Sequence, residues 1–337
     1  MVQSEYKMKK QEALAEITRA GREERVAMLS QADLSGVDLR AVDLSGANLA
    51  ESNLVDANLS GAYMCGAYLR GANLSGALLC GANVSKAYLV GVNLIGANLQ
   101  GVYFCRADLR RTDLCGVNLG EADLSGADLS DADLMAVGMS QANLSGADLR
   151  RANLTDAGLH KADLSGADLS FTVLRGADLS FANASHAKMI RANLSRANLR
   201  SVNMVGADLR LANVSAADAR GANLYGVRLT GANLVEADLR EANLLSAQLA
   251  RAHLFRARLA GANLAGSDLR SVSLVEADLV GADLTRADMQ GGNLSGADLS
   301  GACLLGANCQ QATLQGARLF GANLTNTFIV QENLQEA

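Results

Sequence analysis

The chain has 337 residues, 33 of them Gly, with no Pro, no Trp and only 4% aromatic residues. A hydrophobic content of 49% excludes disorder, while so few rings argue against a conventional globular core. The net charge of −5 gives no electrostatic reason to bind nucleic acid directly, and no apolar run approaches the ~18 residues of a membrane span.

Residues 4–20 read as an amphipathic helix, with Tyr6, Ala13, Leu14 and Ile17 on one face and Gly21 as its stop signal. The basic run KMKK at its start is a solvated helix face. No secretory apolar stretch is present at the N-terminus, so the expected compartment is the cytoplasm. Residues 1–31 are expected to form an N-terminal helical cap, with Val26, Met28 and Leu29 leading into the array that follows.

From Leu34 to Ile329 an apolar centre, position i, falls on every fifth residue without insertion or deletion. Position i−2 is nearly always Ala, i−1 is Asp or Asn, i+1 is often Ser or Arg, and i+2 is often Gly. A helix needs a period of 3.6 and a strand a period of 2. A period of five, with two inward side chains and Gly at a bend, describes a ribbon that turns at every unit. Such a ribbon must coil, and each coil must pair its backbone with the next. Proline would remove a ladder donor, and the chain has none.

The departures from consensus set the size of the coil. Arg at i+1 recurs at Arg40, Arg70, Arg110, Arg150, Arg175, Arg200, Arg210, Arg220, Arg240 and Arg270, and all but Arg175 follow a rhythm of ten. Asn dominates before centres ending in 4 and Asp before centres ending in 9. A triangular coil of fifteen residues would scatter these classes over all sides, whereas a square coil of twenty collects them on opposite sides. The square predicts three stacks: Tyr68 on Tyr88, Met64 on Val84 on Phe104, and Arg200 on Arg220 on Arg240. At ~4.8 Å per coil, about fifteen coils give a rod on the order of 70 Å long.

The A(D/N)LXX pattern over residues 32–329 resembles the pentapeptide-repeat family. The resemblance implies an all-β fold, a right-handed quadrilateral β-helix. The expected organisation is thus a cap at 1–31, a β-helix at 32–329 and a C-terminal tail at 330–337. Some members of the family mimic duplex DNA, bind DNA gyrase and protect it from inhibitors, so gyrase enters as an alternative partner. The charge pattern speaks against it, because the array carries 28 acidic and 24 basic side chains rather than a continuous acidic face. The segment TNTFIVQENLQEA offers little material for a cap, which makes an end-to-end homodimer a candidate assembly.

No catalytic residue, cofactor site or metal site is expected. The six Cys form no CxxC pair and read as small apolar residues in repeat positions. His160, His186 and His253 occupy different positions of different units and should not converge. No phosphate loop, zinc motif or nucleophile elbow occurs, and the Asp and Asn columns lack the calcium-binding glycine-rich motif. What remains is surface, and the expected function is a non-catalytic rod or scaffold that binds a protein partner. Two patches are candidates. Tyr63, Tyr68, Tyr88 and Tyr103 occupy i−1, where Asp or Asn is usual, on two adjacent sides. Arg110, Arg111, Arg150, Arg151 and Arg191 stand along one side. Phe171 and Phe181, both at i+2, are expected on neighbouring sides.

Overall fold

The computed structural model describes residues 8–329. The chain divides into two compact units, Met1–Asp163 and Leu164–Ala337, each built from five-residue turns.

The first unit opens with the helix α1, Lys10–Arg22. The carboxylate of Glu12 accepts the Lys9 backbone N–H at its start. Of the predicted helix, residues 4–7, with Tyr6, lie outside the described residues. The predicted stop at Gly21 is corrected. The helix runs through Gly21 and ends where the Arg25 N–H reaches the Ala20 carbonyl and Glu24 takes a φ of 50°. The predicted apolar face is corrected too. Ala13, Glu16 and Ala20 are buried, whereas Leu14 is exposed. Small side chains on the inner face let the helix backbone approach the first coil closely, and that places a carboxylate at its edge.

The edge needs such a group. Each coil satisfies part of its backbone from the coil before it, and the first coil has none. The Met28 N–H donates to Glu16 Oε1 at 3.1 Å and the Asp33 N–H to the Met8 carbonyl at 2.9 Å. Arg25 and Arg19 hold the buried Glu16 carboxylate at 2.6 and 2.7 Å. These hydrogen bonds, with Arg25 first and the Met28 N–H after Arg19, keep the Glu16 carboxyl far below the usual carboxylate range. The repeat geometry starts earlier than residue 32: Met28 already bridges Asn48, and Leu29 is fully buried.

Successive coils pair in parallel at a separation of twenty residues. Asp33 bridges Asn53, Asn53 bridges Asn73 and Asn73 bridges Asn93. One unit, residues 122–126, shows the whole backbone account. The Ala122 N–H bonds the Leu119 carbonyl, closing a turn, at 3.1 Å. The Asp123 N–H bonds Val102 of the preceding coil, while the Leu124 and Gly126 N–H groups bond Asn143 and Ser145 of the following one. The remaining donor, the Ser125 N–H, goes to the Asp123 side chain at 3.0 Å. The i−1 carboxylate or amide is therefore the acceptor that completes each corner.

The chain bends at i+2. Every i+2 residue from position 31 to position 326 has a positive φ, and 28 of these residues are Gly. The others, Arg, Glu, Ser and even Phe among them, adopt the left-handed conformation because the paired coils on either side demand it. Ala at i−2 and Leu at i fill the interior at close to zero exposure, and the predicted stack of Met64, Val84 and Phe104 is fully buried.

The second unit repeats this construction. Asp168 bridges Lys188 and Lys188 bridges Asp208, and the pairing continues to Asn308 with Phe328. In its last described turns Leu319, Leu324 and Ile329 are only half-buried, and Phe320 and Phe328 are exposed. The expected tail at 330–337 lies outside the described residues.

Candidate functional site

The tyrosine patch lies wholly in the first unit. Tyr63 and Tyr103 flank Asn83 in one ladder, and Tyr68 pairs with Tyr88 in the next. The rings of Tyr68 and Tyr88 stack at 4.9 Å with 10° between their planes. All four tyrosines are about half exposed, from 47% to 54%. A phenol cannot act as the short corner acceptor that Asp123 provides for Ser125, so each of these residues gives up a local hydrogen bond of about 1 kcal/mol.

The surface around them extends further than the tyrosines. Between Asp56 and Arg106 the only charged residues are Arg70 and Lys86. Leu78, at i−1 of the ladder Asn58–Leu78–Asn98, and Ile95, at an i+1 corner, are 42% and 61% exposed in the same belt. Leu78 breaks the i−1 rule as the tyrosines do, but the sequence reading singled out only the aromatic exceptions, and Ile95 breaks no rule at i+1. A count of charge along the chain is the signal that finds them.

The arginine candidates do not form one field. Arg110 forks onto Asp108 at 2.7 Å and reaches Asp128 at 3.7 Å. Arg150 is paired with Asp148, and Arg151 with Asp131 at 2.6 Å. The Arg110 guanidinium holds the Asp108 carboxyl below its ordinary range, and Arg151 does the same for Asp131. Three of the four candidate arginines in the first unit are thus locally neutralised, and of the four only Arg111 stands exposed without an ion pair among the described residues. Arg191 belongs to the second unit, where its guanidinium lies 5.9 Å from the centre of the Phe171 ring. The placement of Phe171 and Phe181 on neighbouring sides is corrected. Ten residues is half of a twenty-residue coil, so they stand at opposite corners.

The arginine file of the second unit is present. Asn198, Asp218 and Asp238 form one ladder, Arg200 and Arg220 both bind Asp218, and Arg240 binds Asp238. With Phe181 and Glu241 these arginines line an open hollow of about 640 Å³.

No group of three His, Cys, Asp or Glu side chains able to hold a metal occurs among the described residues. Burial pushes the thiols of Cys115 and Cys309 up to about 11, and carboxylates add to the shift in both. That makes both thiols poor nucleophiles at neutral pH. No helix among the described residues is long and apolar enough to cross a membrane.

The family pattern described as pentapeptide repeats matches residues 32–170, 177–291 and 293–329. No curated protein matches the chain. Among solved structures, HetL of Nostoc sp. strain PCC 7120 is 36% identical, over 64% of this chain and 89% of its own, with a TM-score of 0.33. HetL is described as involved in regulating heterocyst differentiation. Rfr23 of Cyanothece 51142 is 38% identical over 30% of this chain and 62% of its own, with a TM-score of 0.24. QnrB1, a plasmid-mediated fluoroquinolone resistance protein, is 20% identical over 58% of this chain and 88% of its own, with a TM-score of 0.32. The five-residue turns, the twenty-residue pairing and a pattern match over most of the chain lead to one conclusion: the protein belongs to the pentapeptide-repeat family.

Proposed function

We propose that the protein is a non-catalytic scaffold that docks a protein partner, with Tyr63, Tyr68, Tyr88 and Tyr103 at the centre of the docking surface. One observation carries this reading. Four exposed tyrosines replace the residues that complete the corner hydrogen bonds, within a belt almost free of charge. Other residue types replace Asp or Asn at i−1 along the chain, but every tyrosine that does so is in this belt, and exposed aromatic rings gathered at a cost in local hydrogen bonds suit a contact outside the fold. Leu78 and Ile95 extend that surface, and Arg110, Arg111, Arg150 and Arg151 of the same unit are its candidate polar contacts.

In this reading residues 1–31 cap the assembly, residues 32–329 form a right-handed β-helix of about fifteen coils, residues 330–337 are a tail, and the protein acts in the cytoplasm. Its paired arginines and near-balanced array charge speak against DNA mimicry. Gyrase supercoiling is expected to be unaffected by micromolar protein, and inhibition or protection there would revive the mimic. Affinity capture from the native host tests the tyrosine surface. Changing all four tyrosines to Asn restores the consensus corner residue and should abolish capture of the partner while raising stability. Capture of the same proteins in the same amounts refutes the docking role.

A further inference from the structure

Most cations of the second unit have a carboxylate partner. Arg200, Arg210, Arg220, Arg228, Arg240 and Arg270 each lie 2.6–3.0 Å from one. Arg175, Arg191 and Arg196 have none within 4.0 Å among the described residues, and all three are exposed. No acidic residue occurs between Asp178 and Asp208.

The fold brings these three guanidinium groups to one face. Asn193 bridges Val173 on one coil and Asn213 on the next, so the stretches that start at Phe171, Arg191 and Leu211 lie side by side. Arg191 stands at one corner of this face, over Phe171 and beside Leu211. Arg175 and Arg196 stand at the other corner. There they line an open hollow of about 530 Å³ with Ser195, Asn213 and Ser215, and Glu236 lies at its far end. Phe171 and Leu211 are 53% exposed, and Val173 also reaches the surface. The face therefore combines three unpaired forked donors with an apolar edge.

We infer that this face docks an acidic segment of a protein partner, its carboxylates on Arg175, Arg191 and Arg196 and its apolar side chains on Val173 and Leu211. Charge complementarity selects the occupant. A guanidinium with no internal partner is matched in geometry to a carboxylate. Arginines elsewhere in the unit already hold carboxylates in that manner, bound by both Nε and Nη2 as in Arg240 on Asp238. A nucleic acid fits less well. A duplex carries one charge per ~1.7 Å, whereas this face offers three guanidinium groups without a carboxylate partner among the described residues. A base stacking on Phe171 would compete with the Arg191 guanidinium, 5.9 Å from the ring centre. The inference rests on the reading of the protein as a scaffold, but on residues distinct from the tyrosine surface.

Fluorescence anisotropy with the full chain tests it. The probe is a labelled twelve-residue peptide of alternating Glu and Leu, titrated at low and moderate salt. The parent chain should bind it, and binding should weaken with salt. The variant R175Q/R191Q/R196Q should lose affinity by at least about tenfold with an unchanged unfolding midpoint. Gln is suited to the test, since Gln141 and Gln311 already occupy i+2 with positive φ, as Arg191 and Arg196 do, and Gln290 and Gln310 occupy i+1, as Arg175 does. The control R251Q/R286Q removes two other unpaired arginines and should bind within about twofold of the parent. The tyrosine-to-Asn variant should bind the peptide like the parent, which separates failure of this site from failure of the tyrosine surface. Absence of binding by the parent, equal weakening in both arginine variants, or tighter binding of oligothymidylate than of the peptide overturns the inference.

Discussion

Gly146→Ala should destabilise the first unit even though the new methyl group meets nothing. Gly146 has a φ of +63°, and an added Cβ would have no atom within 4 Å. The whole effect must then come from the backbone. A left-handed conformation costs a residue with a Cβ about 1–2 kcal/mol. Alanine recovers about 0.4–1 kcal/mol of this by restricting the unfolded chain. The net loss is about 0.5–1 kcal/mol. Ala136, exposed with a φ of +53°, provides the reverse experiment, and Ala136→Gly should gain a similar amount. Urea unfolding followed by circular dichroism reads both changes as opposite shifts of the midpoint, about 0.3 M each, at constant slope. Gly76→Ala should cost a similar amount, because the exposed Asp56 carboxylate that its Cβ would meet can turn away into solvent. A Gly146→Ala protein with an unchanged or raised midpoint, or an Ala136→Gly protein with a lowered one, would refute the left-handed corner as a source of strain.

Phe104 is the largest fully buried side chain, and Phe104→Ala should cost about 3–5 kcal/mol, read as a fall in the urea midpoint with retained solubility. Glu16→Gln should detach α1 from the first coil, seen as rapid tryptic cleavage at Arg19 and Arg22 while the repeats stay resistant. Acid should act the same way on the parent chain. The Glu16 carboxyl titrates far below its unfolded value of about 4.3. Its contribution is therefore complete above that value and is lost as pH falls toward the folded one. Cleavage of the helix at pH 3 with an acid protease should exceed that at pH 5, and equal rates would contradict the ion-pair account. Iodoacetamide at pH 8 should leave Cys115 and Cys309 largely unmodified by mass spectrometry, with reaction appearing near pH 11 or in urea.

The corner residues show how far the sequence could be read. Gly at i+2 announces a bend, but Phe171, Arg191 and Leu211 stand at the same position with φ of 64°, 57° and 60°. Nothing in those residues predicts a left-handed backbone. The stacking of Tyr68 on Tyr88 was legible, since it follows from the period alone. The pairing of Arg110 with Asp108 was not, because the same arginines read equally well as open docking groups until the rotamers are known. The belt around Leu78 and Ile95 was legible in principle, by its lack of charge and by the missing corner acceptor at Leu78, but the exposure of the two side chains was not.

What the amino-acid order alone determined is the five-residue turn, the twenty-residue coil and the Leu and Ala interior. All three arise from contacts at fixed offsets along the chain, and a fixed offset is visible as a period. What only the tertiary structure decided is the non-periodic part. The docking of α1 turned Glu16 inward and Leu14 outward, and the choice of partner for each arginine left Arg175, Arg191 and Arg196 without a carboxylate among the described residues. Those contacts depend on where side chains meet in space, and no spacing along the chain encodes that.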